Sequence, residues 1–154
     1  MKSGSGPGLV ARVVATRVSI VEELIVRAFI APHRRSRWLS CLSSAKRRRK
    51  FLDCLNHCAD LDPRYARPVP SNVDVVALLR SHGAPAKCYV VSDIVSIDGR
   101  EMSLDEAVAA AESGGWGTMI ICVPGRLGCY IDEAGTKRRL LLVRGEAEPR
   151  EATE

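Results

Sequence analysis

Between Ile20 and Phe29 the apolar positions Val21, Leu24, Ile25, Ala28 and Phe29 recur at intervals of three and four residues. That spacing lines one side of an α-helix and predicts an amphipathic segment packed on a core. Ser19 can cap it, Glu22 and Glu23 fall in its first turn where the helix dipole favours acids, and Ala31-Pro32 ends it. A second helix is expected from Arg34 to about Leu42, with Trp38, Cys41, Leu42 and Ala45 inward. Ser43 and Ser44 can end it and cap a third helix from Ala45 to Ala59, unless the two run on as one. In either case Phe51, Leu52, Leu55, Cys58 and Ala59 face the core, and Asp53, Asn56, His57 and Asp60 face away. Asp62-Pro63, Pro68 and Pro70 mark an irregular connection. Ser71 or Asn72 then opens a short helix through Val75, Val76, Leu78 and Leu79, with Gly83 as its stop.

Beyond Gly83 the pattern changes. Strands are predicted over Lys87 to Ser92, Thr118 to Val123, Leu127 to Ile131 and Thr136 to Val143, with a turn at Asp132 to Gly135. Asp98-Gly99 is a tight-turn signal, and Ser103-Leu104-Asp105-Glu106 is a capping box opening a helix to about Ser113. The runs CYVV, MIICV and LLLV are apolar without alternation, so both sheet faces are expected to be covered. The helix from Leu104 would cover one face as a crossover and the N-terminal helices the other. The fold class is therefore α+β: N-terminal helices packed on a small mixed sheet of about four strands with one crossover helix. Residues 1–18 read as a flexible leader, with a slight likeness to an organelle transit peptide. Residues 19–144 form one domain, helical over 19–62 and sheet-forming over 87–144, and 145–154 read as a disordered acidic tail.

Charge changes this picture most. Nine basic side chains and no acid lie between Glu23 and Asp53, while the whole chain carries +5, leaving −4 for the rest. The positive charge is local, and local charge marks a place where an anion sits. On the third helix the inner stripe, extended back, passes near Arg48, so Lys46, Arg47, Arg49 and Lys50 point outward. If that helix starts at Ser44, these cations occupy the positive end of its dipole, a conflict that an anion would relieve. Arg34, Arg35 and Arg37 extend the patch, and arginine forks match phosphate oxygens. No zinc-finger, RNP or GXXG pattern accompanies it, and aromatics are only 5% of the chain, so contacts to backbone rather than bases are expected. An acidic protein partner, or a solvated face that pairs Arg49 with Asp53, fits the same residues.

Other constellations are weaker. Cys54, His57 and Cys58, with Cys41 upstream, have helical ligand spacing but split across two faces, so no metal site is expected. Asp53, Asp60 and Asp62 with His57 imitate a metal-dependent nuclease but read as turn and surface groups. If the crossover makes the first two long strands parallel, Ser92 and Asp93 share a sheet edge with Arg126, and Arg100 joins them round a small pocket. Gly114-Gly115-Trp116-Gly117 follows a helix, opposite to a phosphate loop, and reads as a helix stop with a buried or half-buried Trp. Cys122 and Cys129 flank a Gly125-Arg126 hairpin and would lie across the ladder, as packed thiols or a redox pair. The irregular spacing of the six cysteines makes the reducing cytoplasm the expected compartment, and no apolar run approaches the ~18 residues of a membrane span.

Together these features point to a binding or regulatory module, without catalytic residue, metal or cofactor, that holds a polyanion on Arg34, Arg35, Arg37, Lys46, Arg47, Arg49 and Lys50. Nucleic-acid backbone is the expected partner. The alternatives are a protein-interaction or oligomerisation module using the same face, and a small enzyme with its pocket near Asp93 and Arg126.

Overall fold

The computed structural model describes residues 19–133 and 138–145. The expected leader, the tail beyond Gly145, and residues 134–137, which hold the second half of the expected turn and the start of the expected last strand, lie outside the described residues. Helices α1 (Ile20–Phe29), α2 (Arg35–Leu42) and α3 (Ala45–Leu52) come first, with a 3-10 turn at Pro32–Arg34 between α1 and α2. Then follow β1 (Ala66–Pro68), α4 (Val75–Ser81), β2 (Lys87–Ser92), β3 (Glu101–Ser103), α5 (Leu104–Ser113), β4 (Gly117–Val123), β5 (Leu127–Asp132) and β6 (Arg139–Val143). The sheet has six strands in the order β1-β6-β5-β4-β2-β3, not about four, and every pairing is antiparallel rather than mixed. The two additional strands are three-residue edges, too short to show a period of two. Pro68 sits on one of them, where its missing N–H costs no ladder bond.

The expected crossover exists, but it starts from β3. After β2 the chain turns back through Gly99, at φ +69°, and β3 runs antiparallel to β2. Helix α5 then leads to β4, which pairs with the other side of β2, also antiparallel. β3 and β4 are thus parallel to one another with β2 between them. Ser103 caps α5 by accepting from the Glu106 N–H, as the capping box predicts. Helix α4 starts later than expected, on Asp74, whose carboxylate accepts from the Ala77 N–H.

Both faces of the sheet are covered, as the unbroken apolar runs require. On one side Val91, Met119, Ile121, Tyr130, Leu140 and Leu142 meet Ile25, Phe29, Trp38 and Leu52 of the N-terminal helices. On the other, Val90, Ile120, Cys129 and Leu141 meet Leu79 of α4 and Leu104, Ala107 and Val108 of α5. The result is three layers, helix on sheet on helix.

Helix α3 ends at Leu52, seven residues short of the expected Ala59. Nonlocal polar groups capture the chain there. The Tyr130 hydroxyl donates to the Leu55 carbonyl at 2.7 Å and accepts from the Cys58 N–H at 3.2 Å. The buried Asp132 carboxylate accepts from the His57 N–H at 2.8 Å. Gly117 lets this segment lie on the sheet: a Cβ there would sit 2.6 Å from the Leu55 carbonyl oxygen. His57 turns left-handed, at φ +51°, and Ala59 ends up exposed rather than in the core.

Arg48 is the inward-facing cation of α3. It makes two hydrogen bonds to Glu22 of α1, at 2.7 and 2.6 Å, and two to Asp98 of the β2–β3 connection, at 2.9 and 3.0 Å. The Tyr89 hydroxyl of β2 donates to the same Glu22 carboxylate at 2.9 Å. Glu22 is 3% exposed, so it is a buried partner and not only a first-turn dipole group. Replacing Arg48 by Met should therefore cost about 3 kcal/mol, because a buried carboxylate loses its counter-charge. Arg47→Met should stay within about 0.5 kcal/mol. Urea unfolding of the two variants checks this, and equal midpoints would refute the clamp.

Candidate anion-binding groove

The N-cap of α3 is Ser44, which accepts from the Arg47 N–H, and the first turn contains no acid. Lys46 and Arg47 thus lie at the positive end of the helix dipole, where exposed like charge costs about 0.3–1 kcal/mol per group. Between α2, α3 and the captured segment 53–60 lies a groove of about 550 Å³. Arg34, Arg37, Arg47 and Lys50 line it, and Phe51, Leu55, Cys41 and Cys54 form its less polar part. Asn56, His57 and Asp60 complete it. Asp60, its one acidic lining residue among those described, already accepts from the Trp38 indole N–H at 2.9 Å and pairs with Arg34 at 3.3 Å.

The seven expected anion-binding residues therefore divide. Arg34, Arg37, Arg47 and Lys50 come together on the groove. Arg35 instead donates to the Ile30 carbonyl at 3.0 Å, holding the α1–α2 corner. Arg49 donates to the Asp93 carbonyl at 2.8 Å and pairs with Asp53 at 3.1 Å, the i, i+4 pair that the sequence suggests. Lys46 is exposed and does not line the groove. Arg37, Lys46 and Lys50 have no hydrogen bond or ion pair among the described residues, and Arg47 reaches only the Ser40 hydroxyl, at 2.8 Å.

His57 lines the groove from the captured segment. Its ring lies 3.2 Å from Asp132 through Nδ1 and 3.0 Å from Glu133 through Nε2. Asp132 has no exposed side-chain surface. Burial alone would raise its pKa, but hydrogen bonds from the His57 and Glu133 N–H groups and from Arg138 outweigh that and hold it below the usual carboxylate value. Burial pushes the Cys58 thiol up to about 11, so it is protonated at neutral pH. No group of three or more His, Cys, Asp or Glu side chains among the described residues is arranged to hold a metal ion. The nuclease-like acids diverge as well: Asp53 pairs with Arg49, Asp60 with Trp38 and Arg34, and Asp62 with Arg64.

The pocket expected near Asp93 and Arg126 does not form. Because β2 and β4 are antiparallel, Ser92 pairs with Thr118 at the start of β4, whereas Arg126 follows its end. Six residue steps of strand put them roughly 20 Å apart. Ser92 shares a 2.7 Å hydrogen bond with Thr118, Asp93 accepts from the Trp116 and Gly117 N–H groups, and Arg100 donates to the Ser96 carbonyl. These are loop-closing contacts. Trp116 itself is 57% exposed rather than buried or half-buried. Cys129 pairs with Ile120, and a register shift between Ile121 and Val123 removes Cys122 from the position across the ladder, so the two thiols are packed core groups. Burial raises the Cys122 thiol to about 12.

The basic cluster is legible in the residue order, but the floor beneath it is not. Phe51 and Leu55 carry helical core spacing, and nothing local shows that the helix stops between them. No helix of the described residues is long and apolar enough to cross a membrane. Comparison of the chain with protein families, curated proteins and solved structures gives no significant match, so the reading of the groove rests on its own residues.

The depressed Asp132 contributes stability above its unfolded pKa of about 4, and that contribution disappears as pH falls through the lower folded value. Asp132→Asn should therefore be less stable than the wild type at pH 7, with the gap narrowing below about pH 4. Urea midpoints at pH 7, 5 and 3.5 test the sign; a gap that widens with acid would contradict it.

Proposed function

We propose that this protein is a non-enzymatic binding module that holds a polyanion, nucleic-acid backbone, along the α2–α3 groove. The observation that carries this reading is the convergence of Arg34, Arg37, Arg47 and Lys50 on one concave surface whose single acid is already engaged. Three further facts support it. Arg47 sits in the first turn of α3, where the helix dipole disfavours a cation, Arg37 and Lys50 have no partner among the described residues, and Arg47 keeps most of its guanidinium donors available. Phosphate offers the charge and the oxygen geometry that such donors match.

A competing reading is docking of an acidic protein. One observation favours it: Trp116 and Val95 are strongly exposed on the two loops joined through Asp93, which Arg49 also grips. An aromatic anchor beside a basic face is the composition of a protein interface.

Fluorescence anisotropy with a labelled oligonucleotide, from about 50 to 300 mM salt, separates the two readings. The wild type should lose affinity steeply with salt. Arg37→Glu/Arg47→Glu should bind at least roughly 10-fold more weakly at 100 mM salt, with a log–log slope shallower by about two units. Absence of binding at 50 mM salt, or binding that the double variant leaves intact, would sink the nucleic-acid reading.

A further inference from the structure

The groove holds more than cations. A face built only for a duplex backbone needs exposed charge along a ridge, since phosphates are met from outside. Here the charge surrounds a concavity of about 550 Å³, within the size range of sites that enclose a small ligand. Phe51 lines it and is only half-buried. Trp38 supports that ring from below, edge to face, with centroids 4.9 Å apart and planes at 85°. Trp38 is 1% exposed and its indole N–H is committed to Asp60, so Phe51 is the aromatic surface offered to a ligand. Beside it the half-buried Asn56 side chain has no hydrogen-bond partner among the described residues, leaving an amide donor and acceptor at the groove.

We infer that the groove seats one unpaired nucleotide of a single strand, its base against Phe51 with its edge toward Asn56, and its flanking phosphates on Arg37, Arg47 and Lys50. This rests on the polyanion reading and makes it specific. The parts match the chemistry of a nucleotide: a flat π face, a polar edge and negative charge on its flanks. A carboxylate side chain of an acidic peptide would use the cations but leave the ring and the amide without partners. A base within a duplex is stacked on both sides and cannot enter.

The test compares three labelled oligonucleotides of about eight nucleotides, within the site sizes of single-strand binders. They are an intact single strand, the same strand with abasic residues throughout, and the duplex. Anisotropy is read at constant low salt, and DNA and RNA strands are run in parallel. The intact strand should bind roughly 5- to 100-fold more tightly than the abasic one, the range expected for one stacked base. It should also bind more tightly than the duplex, and preference in either sugar series supports the inference. Phe51→Leu should reduce the intact strand's affinity toward that of the abasic strand and leave the abasic strand unchanged. Because Phe51 also touches Trp38, Asn56→Ala provides a second variant outside the core, expected to weaken the intact strand alone.

Equal binding of intact and abasic strands would overturn the seated base while leaving the polyanion reading standing. Tighter binding of the duplex would do the same. Failure of all three to bind would overturn both readings. Displacement of the intact strand by poly-glutamate at equal charge concentration would assign the groove to an acidic protein instead.

Discussion

Arg48 determines which way the basic helix faces. The mostly buried Arg48 guanidinium sits between the carboxylates of Glu22 and Asp98, both on largely buried side chains. Burial opposes its charge, but hydrogen bonds and proximity to both acids outweigh that and raise its pKa further. Desolvating an ion pair is costly unless the remaining hydrogen-bonding positions are filled. Here they are: Arg48 forks to both partners, Tyr89 donates to Glu22, and Asp98 also accepts from the Ser92 N–H. Three stretches remote in sequence, α1, α3 and β2 with its connection to β3, meet around this one side chain. Once Arg48 points inward, the 100° step of the helix turns Arg47 and Lys50 toward the groove side and leaves Lys46 and Arg49 flanking. The outward charge follows from the inward one.

The second constraint is the capture of residues 53–58. An uninterrupted helix to Ala59 would keep its hydrogen bonds inside itself and offer neighbouring strands no free carbonyl. Stopping at Leu52 exposes the Leu55 carbonyl and the Cys58 N–H to Tyr130, and the His57 N–H to Asp132. Buried polar groups must be satisfied, and each side here satisfies the other. The chain then wraps under α2 instead of extending α3. The space between them is the groove, with Phe51 at the last turn of helix and Asn56 on the captured segment.

These two constraints explain what could be read from the residues in order. Helical spacing located α1, α2 and the start of α3 to within a residue or two, and Ser19, Ser44 and Ser103 cap as their types suggest. The unbroken runs in β2, β4 and β6 implied helices on both faces, and both are there. Strand direction was not legible, because an apolar run buried on two sides looks the same in either orientation. The three-residue β3 reversed the chain before the crossover, and that reversal dispersed the pocket around Asp93, Arg100 and Arg126. Likewise, local pattern carries α3 on to Ala59, since Tyr130 and Asp132 lie more than seventy residues further along. The basic cluster was legible as composition; its division into bound and unbound cations was not, since partners such as Glu22, Asp60 and Asp93 carry no local mark.

That division bears on function. Arg35, Arg48 and Arg49 are held by carbonyls and carboxylates of the fold, and such groups would be missed if removed. Arg37, Lys46 and Lys50 contribute no such bond among the described residues, and with Arg47 they crowd like charge around one short helix. Solubility alone does not require this arrangement, because interspersed charges of both signs serve it without the repulsion. Stability argues against it, because acids belong in the first turn of α3. Sites that bind are where a fold tolerates such local conflict, and the cost is recovered when a ligand of opposite charge arrives. The conflict lies beside a concavity that holds a ring and an amide with no partner among the described residues, and the ligand proposed here is accordingly an anion that brings a flat polar group with its charge.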